Sequence, residues 1–145
     1  MRSLVFLLAL LCALAPPVAQ AATSTVPSAA APTFDASIFF DAINTNPPTL
    51  IEQQPVRIYA TITNAGTADI EGLVRFFDNG VFIGGKIFSL RAGNRPEDAW
   101  VGWTPKAPGL HTIRVEIVND TEFPEATPAN NTASAPFTVL GDIDN

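Results

Sequence analysis

The sequence predicts an all-β fold: an immunoglobulin- or fibronectin-like antiparallel β-sandwich of seven or eight strands, preceded by a signal peptide. Short apolar segments recur about every ten residues between clusters of Gly, Pro, Asn and Asp, a spacing that is typical of sandwich domains. Several segments alternate apolar and polar residues, as strands with one buried face do. No long segment shows the 3.6-residue period of an amphipathic helix, so we expect no substantial helix.

The segment Val56–Asn64 is the clearest predicted strand. Aliphatic residues occupy every second position: the inward set is Val56, Ile58, Ala60 and Ile62, and the outward set is Arg57, Tyr59, Thr61 and Thr63. This alternation predicts a sheet with one face on a core and the other in water. The sequence Asn-Ala-Gly at residues 64–66 then ends the strand with residues that suit a turn.

A β-hairpin is predicted around Asp78-Asn79-Gly80. Asn-Gly favours a type I′ turn, whose twist matches that of the flanking strands. The turn would join Leu73–Phe77, with Val74 and Phe76 pointing inward, to Val81–Ile83. Gly84-Gly85 predicts a bulge or bend before the chain continues through Ile87–Leu90.

The other predicted strands are separated by similar turn signals. They are Asp35–Ile43, Asp98–Thr104, Leu110–Val118 and Ala133–Leu140. Two prolines cannot donate to a ladder, so Asn44–Pro48 is predicted to be a turn. In the segment 110–118 the isoleucine and valine positions form the predicted core face, and His111 is expected to be a partly exposed residue at the strand start.

Four segments are predicted along the chain: a signal peptide (1–21), a linker of Ala, Ser, Thr and Pro (22–33), the sandwich (34–140) and an acidic tail (141–145). Arg2 precedes an eleven-residue apolar run, and Ala19-Gln20-Ala21 offers small residues at a cleavage site. The run is short for a membrane span, although an uncleaved anchor is the alternative. The tail also resembles the opening of a calcium-binding repeat from a longer protein. The expected location is secreted or extracytoplasmic, at the cell surface or in the periplasm.

Composition narrows the possible partners. The chain carries a net charge of −6, and removal of residues 1–21 leaves seven basic and 14 acidic residues, a net charge of −7. This balance argues against nucleic acid and against anionic membrane surfaces, and we expect no membrane insertion after cleavage. Cys12 lies within the predicted signal peptide, so a mature domain without disulfides must be held together by its core.

No catalytic constellation is visible, so we predict that the chain is not an enzyme. His111 is the single histidine, which excludes a histidine-rich metal site, and its place beside a Pro-Gly turn at a strand start does not favour a serine–histidine–aspartate triad. Glu97 and Asp98 are adjacent on a predicted strand, and alternation would send their side chains to opposite faces. A pair of carboxylates that work as acid and base would need to face one cleft.

The acidic loop Asn119–Asn131 is a speculative calcium site. Asp120, Glu122 and Glu125 supply carboxylate oxygens of the kind that calcium prefers. The spacing is not that of an EF-hand, and prolines stiffen the loop. Asn and Asp also stabilise turns, so the alternative is a structural loop without a cofactor.

Trp100 is a candidate ligand-binding residue. Trp100 and Trp103 are three positions apart and therefore fall on opposite faces of a strand, so that Trp100 faces outward if Trp103 lies in the core. An outward tryptophan, joined by Tyr59 or Phe77, would suit stacking on a carbohydrate, contact with another protein, or local packing.

Taken together, four stretches resemble the CARDB family, the cell-adhesion-related domain found in bacteria. They are QPVRIYATITNAGTA, VRFFDNGVFIGG, WTPKAPGLHTIRVEIV, and the closing pattern with NNTAS before FTV. The resemblance covers residues 34–140 and implies an immunoglobulin-like sandwich, an extracellular setting, a core position for Trp103 and no reaction. It also implies an accessory or spacer role. We predict a non-catalytic interaction or adhesion module whose partner is a protein or a cell-surface polymer, bound by surface complementarity, for example by strand addition at an exposed sheet edge. The alternative is a carbohydrate-binding module.

Overall fold

The computed structural model describes residues 28–93, 95–119 and 125–143. All of the described strands belong to one compact unit, Ala31–Asn145. The strands are β1 (Ala36–Asn46), β2 (Leu50–Ile51), β3 (Val56–Asn64), β4 (Ile70–Asp78), β5 (Val81–Leu90), β6 (Glu97–Trp103), β7 (Gly109–Asn119) and β8 (Thr132–Leu140). A short 3₁₀ helix, Pro128–Asn130, precedes β8. The described residues contain no helix long and apolar enough to cross a membrane.

The strands form two sheets, as the alternation predicts. The three-stranded sheet has the order β1-β3-β6, and the five-stranded sheet has the order β2-β8-β7-β4-β5. All neighbouring pairs are antiparallel except β2 and β8, which are parallel. The fold is therefore the predicted immunoglobulin-like sandwich, with one parallel pair that the sequence pattern does not show.

The core lies between the two sheets and is built from the alternating aliphatic positions. The predicted inward set of β3 is buried, as are the predicted pair on β4 and the isoleucine and valine positions of β7. Trp103 is 6 % exposed and contributes to the same core. Burial of this aliphatic and aromatic surface is the main stabilising term for a domain of this kind.

The hairpin between β4 and β5 is confirmed. Asn79 and Gly80 both have positive φ, 47° and 85°, as a type I′ turn requires. The pairing shifts by one residue after the turn: Phe77 lies opposite Phe82, and Phe76 lies opposite Gly84. Ile83 is therefore the extra residue of a β-bulge, directly before the two glycines that predicted it.

β1 runs farther than predicted. The strand continues through the expected turn to Asn46 and pairs with β3 from Ile43 onward. It ends at the cis peptide bond between Asn46 and Pro47. The prolines thus end the strand instead of marking a turn that begins at Asn44, and β2 follows them with two residues paired to β8.

His111 is more buried than predicted. It is 8 % exposed, so the expectation of a partly exposed residue is wrong. Its Nδ1 lies 2.8 Å from Asp78 Oδ1, its Nε2 lies 2.9 Å from the carbonyl oxygen of Ala107, and its ring packs edge-on against Trp103. Both ring nitrogens are used in structural contacts that join the β4–β5 turn to the start of β7.

The chain enters and leaves the sandwich at opposite ends. β1 begins beside the end of β3, where Ala36 pairs with Asn64. β8 finishes at the other end, where Leu140 pairs with Ile51 and accepts a hydrogen bond from the backbone N–H of Glu52. The predicted signal peptide, the first part of the linker and the last two residues of the tail lie outside the described residues.

Candidate functional site

The outer face of the three-stranded sheet carries two rows of side chains that cross all three strands. In one row Asn44, Tyr59 and Trp100 are register partners, and in the next row Asn46, Arg57 and Gly102 are partners. Because directly opposed residues of antiparallel strands share a face, these side chains lie side by side. We call these six residues the Trp100 face.

Trp100 is the centre of this face. Its side chain is 41 % exposed, as the alternation predicts. The guanidinium carbon of Arg57 lies 4.4 Å from the centroid of the Trp100 ring, within the range of a cation–π contact. Tyr59 packs against the same tryptophan with ring centroids 6.5 Å apart. The structure thus brings together Trp100 and Tyr59, two of the three predicted ligand-binding residues.

A shallow cavity of about 350 Å³ lies beside Trp100. Its lining includes Asn46, Pro55, Arg57, Trp100 and Gly102. A Cβ atom at Gly102 would meet no other atom within 4 Å, so the absence of a side chain there leaves open space next to the indole. The cavity joins an aromatic edge, a cation and an amide group in one place.

Phe77 lies on the other sheet and does not share the Trp100 face. It belongs to β4, packs edge-on against Phe82 at a centroid distance of 5.8 Å, and lies under the guanidinium of Arg114 at 4.1 Å. Arg114 also forms an ion pair with Glu116. Phe77 is therefore engaged in a local aromatic and cationic cluster of the five-stranded sheet.

Arg57, Asn44, Asn46 and Gly102 belong to the face and were missed by sequence reasoning. Arg57 is two positions before Tyr59 on β3, so the period-two pattern already places the two on one side. The asparagines were missed because the adjacent prolines suggested a turn. Gly102 gives no signal until the pairing of β3 with β6 is known.

The described part of the acidic loop is hydrogen-bonded to the start of β1. The Glu125 carboxylate accepts hydrogen bonds from the backbone N–H of Ala36 and from the side chain of Asn131. Asp35 accepts from the Asn130 side chain at 3.1 Å and from the Thr127 hydroxyl at 3.4 Å. Each carboxylate is thus used as an acceptor that fixes the segment before β8.

Calcium binding in this loop stays a prediction. Asp120 and Glu122 lie outside the described residues. Within the described ranges, no group of three or more His, Cys, Asp or Glu side chains is arranged to hold a metal ion. A melting temperature measured with and without a calcium chelator tests the prediction, and an unchanged temperature removes Glu125 as a ligand.

Burial gives Glu125 a distinct pH dependence. Desolvation raises the pKa of Glu125 above its ordinary 4.5, and nearby Asp35 adds to the rise. The protonated Glu125 side chain therefore stabilises the folded state below pH 4.5, and this contribution is lost as the pH rises through the pKa that Glu125 has in the folded state. Glutamine at this position keeps an oxygen for the Ala36 N–H but does not ionise. We therefore expect the stability of Glu125→Gln, measured relative to the wild type, to be higher at pH 7 than at pH 4. Urea unfolding at both pH values measures this difference, and a relative loss toward pH 7 contradicts it.

Three of the four sheet edges are poorly suited to strand addition, whereas the fourth, β6, pairs with β3 through seven residues without a register shift. β1 carries a register shift between Ile38 and Ile43, and β2 has only two residues. On the edge strand β5, Lys86 lies opposite the buried Val74, so this charged side chain is attached on the core-facing side of the strand. The same strand also carries a β-bulge. Inward charges, bulges and short strands are the features by which proteins prevent edge pairing. These features disfavour strand addition at β1, β2 and β5.

Comparisons with known proteins agree with this architecture. The family model CARDB matches residues 35–135. The CARDB domain of the PF1109 protein from Pyrococcus furiosus, solved in complex with di-metal ions, has a TM-score of 0.65 at 19 % identity, over 76 % of this chain and 96 % of that chain. A domain of a protein from Methanosarcina acetivorans that is assigned to the cell surface has a TM-score of 0.58 at 21 % identity, over 75 % and 92 %.

A β-glucosidase from Listeria innocua also contains a similar fold, with a TM-score of 0.50 at 12 % identity over 76 % of this chain and 16 % of that chain. No curated protein matches the chain. At these identities the structural likenesses show the fold, whereas the family match spans most of the sandwich. The chain therefore belongs to the CARDB family.

Proposed function

We propose that this chain is a non-catalytic interaction module outside the cytoplasm, secreted or held at the cell surface, and that it contacts its partner through the Trp100 face. The observation that carries the proposal is the exposed Trp100 with Arg57 and Tyr59 packed against it on an open sheet face. Aromatic and arginine side chains are the residues that contribute most at binding interfaces. CARDB membership and the likeness to a cell-surface protein support the extracellular setting.

The described chemistry supports a binding role over a catalytic one. His111 is buried, and both of its ring nitrogens are occupied by Asp78 and the backbone of Ala107. The cavity beside Trp100 is lined by an arginine, an asparagine and apolar groups, and these residues provide no nucleophile paired with a base.

The proposal is tested by the binding of the mature chain to washed bacterial and archaeal cell envelopes, with the bound fraction measured after sedimentation. We expect Trp100→Ala to weaken binding by about tenfold or more, since truncation of a central interface tryptophan costs about 2 kcal/mol or more. Leu110→Ala is the matched control, because Leu110 is exposed on the five-stranded sheet. Equal binding by wild type and both variants contradicts the proposed face.

A carbohydrate-binding module is the second candidate. The specific observation in its favour is that exposed amide side chains, Asn44 and Asn46, share the face with Tyr59 and Trp100. Amide groups both donate and accept hydrogen bonds, as sugar hydroxyls do.

A further inference from the structure

We propose that the Trp100 face binds the carboxylate groups of an acidic polysaccharide, with Arg57 as the anion-binding residue. This inference rests on the proposed function, because it names the ligand class of the same face. Three features support this inference: the positioning of the Arg57 side chain, the distribution of charge around it, and the open cavity with its amide lining.

Arg57 is held in position for an anion. The indole of Trp100 supports its guanidinium at 4.4 Å, and such stacking restricts a side chain that would otherwise lose much rotamer freedom on binding. Arg57 forms no ion pair with any carboxylate of the described ranges, where the ion pairs are His111–Asp78 and Arg114–Glu116. A planar guanidinium presents parallel N–H groups that match the two oxygens of a carboxylate.

The Asp98 carboxylate, on the outer face of the same sheet, is engaged by another residue. Asp98 lies opposite Thr61, one row beyond the Tyr59–Trp100 row as counted from Arg57. Its Oδ1 accepts a hydrogen bond from the Thr61 hydroxyl at 2.7 Å. The aromatic row therefore separates Asp98 from Arg57 and leaves a positive position in a chain whose net charge is −6. The net charge opposes a polyanion at long range, as it does nucleic acid, so the attraction is local: Arg57 has no carboxylate partner in the described ranges and can pair with an anionic group of the ligand.

The cavity beside Arg57 accepts more than a single ion. Its volume of about 350 Å³ is near the lower end of the range for small-ligand pockets. The open position above Gly102 gives room for a ring next to the indole edge. Asn46 lines the same cavity and supplies an amide that can donate to and accept from hydroxyl groups.

A sugar acid fits this surface better than an acidic peptide. A peptide that binds a sheet commonly does so by adding its backbone to an edge strand, and three of the four edges here are bulged, short or carry the inward Lys86. The fourth edge, β6, is regular but begins with Glu97 and Asp98, whose charges disfavour an acidic peptide. The Trp100 face instead offers side chains on an open surface: an aromatic ring for the apolar side of a sugar ring, amides for hydroxyls and a guanidinium for the carboxylate.

Affinity electrophoresis of the mature chain tests this assignment. Native gels contain polygalacturonate, neutral dextran or poly-glutamate, and the retardation of wild type is compared with that of Arg57→Gln and Trp100→Ala. Arg75→Gln is the matched control, because Arg75 is an exposed arginine on the five-stranded sheet and its replacement changes the net charge equally. Circular dichroism confirms that each variant is folded.

We expect polygalacturonate to retard the wild type and the Arg75→Gln variant. Arg57→Gln should weaken this binding by about tenfold, the equivalent of one charged hydrogen-bonded contact, and Trp100→Ala should weaken it as well. Retardation should decrease with added salt. Dextran should have no comparable effect.

Several outcomes overturn the assignment. Equal weakening by Arg57→Gln and Arg75→Gln means diffuse charge attraction, and stronger retardation by poly-glutamate means an acidic peptide site. Absence of retardation by polygalacturonate, together with Trp100-dependent envelope binding, rejects the acidic sugar and leaves the proposed function standing. Envelope binding that is unchanged in Trp100→Ala rejects both the acidic sugar as ligand and the Trp100 face as the contact surface.

Discussion

Replacement of Phe76 by alanine is expected to destabilise the domain by about 3–5 kcal/mol, the range for removal of a buried aromatic ring. Phe76 is fully buried between the sheets. It lies opposite Gly84 on β5 and Val115 on β7. Because Gly84 has no side chain that could fill the vacated space, the cavity would collapse poorly and the cost should lie toward the upper end of the range.

Urea unfolding followed by tryptophan fluorescence measures this loss. Domains of this size have stabilities of about 5–15 kcal/mol, so the variant should lose a large part of its stability and unfold at a clearly lower urea concentration than the wild type. The control is Ile87→Ala on the neighbouring strand, because Ile87 is 79 % exposed. Its effect should stay within about 0.5 kcal/mol. A small change for Phe76→Ala, comparable to that of the control, would show that the sheets are not packed as described.

Asn64→Asp is expected to have a similarly large effect at neutral pH. Asn64 is completely buried and holds the turn after β3. Its Nδ2 donates to the carbonyl oxygens of Ala68 at 2.8 Å and Leu90 at 3.4 Å, and its Oδ1 accepts from the N–H of Gly66 at 2.9 Å. An aspartate has the same shape but would place a buried charge against two carbonyl oxygens, at a cost of at least about 3 kcal/mol.

The pH dependence of this variant separates charge from shape. The buried carboxyl group of the variant should have a raised pKa in the folded state, because its hydrogen-bond partners are uncharged backbone groups of Ala68, Leu90 and Gly66. The loss of stability should therefore shrink as the pH is lowered from 7 toward about 4, the ordinary pKa of aspartate. Asn44→Asp, at an exposed position of β1, is the control. A deficit that is constant with pH would mean that the aspartate is solvated.

The local pattern of the sequence predicts the strands well where one face is buried. The bounds of β3 agree with the prediction at both ends, and the Asn79-Gly80 turn has the expected backbone. Both features are set by residues that are close together in the chain. The bounds of β3 follow from alternating burial, and the turn follows from the positive φ that Asn and Gly allow. The predicted strand ends at Ile43 because Pro47 and Pro48 cannot donate to a ladder, whereas pairing with β3 extends β1 through Asn44 to Asn46.

The candidate site is less predictable, because it depends on register and on the assignment of strands to sheets. Alternation correctly places Trp100 outward, but only the pairing of β3 with β6 sets it beside Tyr59 and Arg57. The same alternation places Phe77 outward on a different sheet. Sheet order comes from long-range contacts between strands far apart in the chain, which a single sequence does not reveal.

The path of the chain through the sandwich has a mechanical consequence. Because β1 begins at one end and β8 finishes at the other, tension applied to the two ends of the domain acts along the strands. The hydrogen bonds of β1 with β3, and of β8 with its two neighbours, then resist in shear, so that many must break at once. We therefore expect the domain to unfold under such tension only at a higher force than a sandwich whose end strands peel away one hydrogen bond at a time.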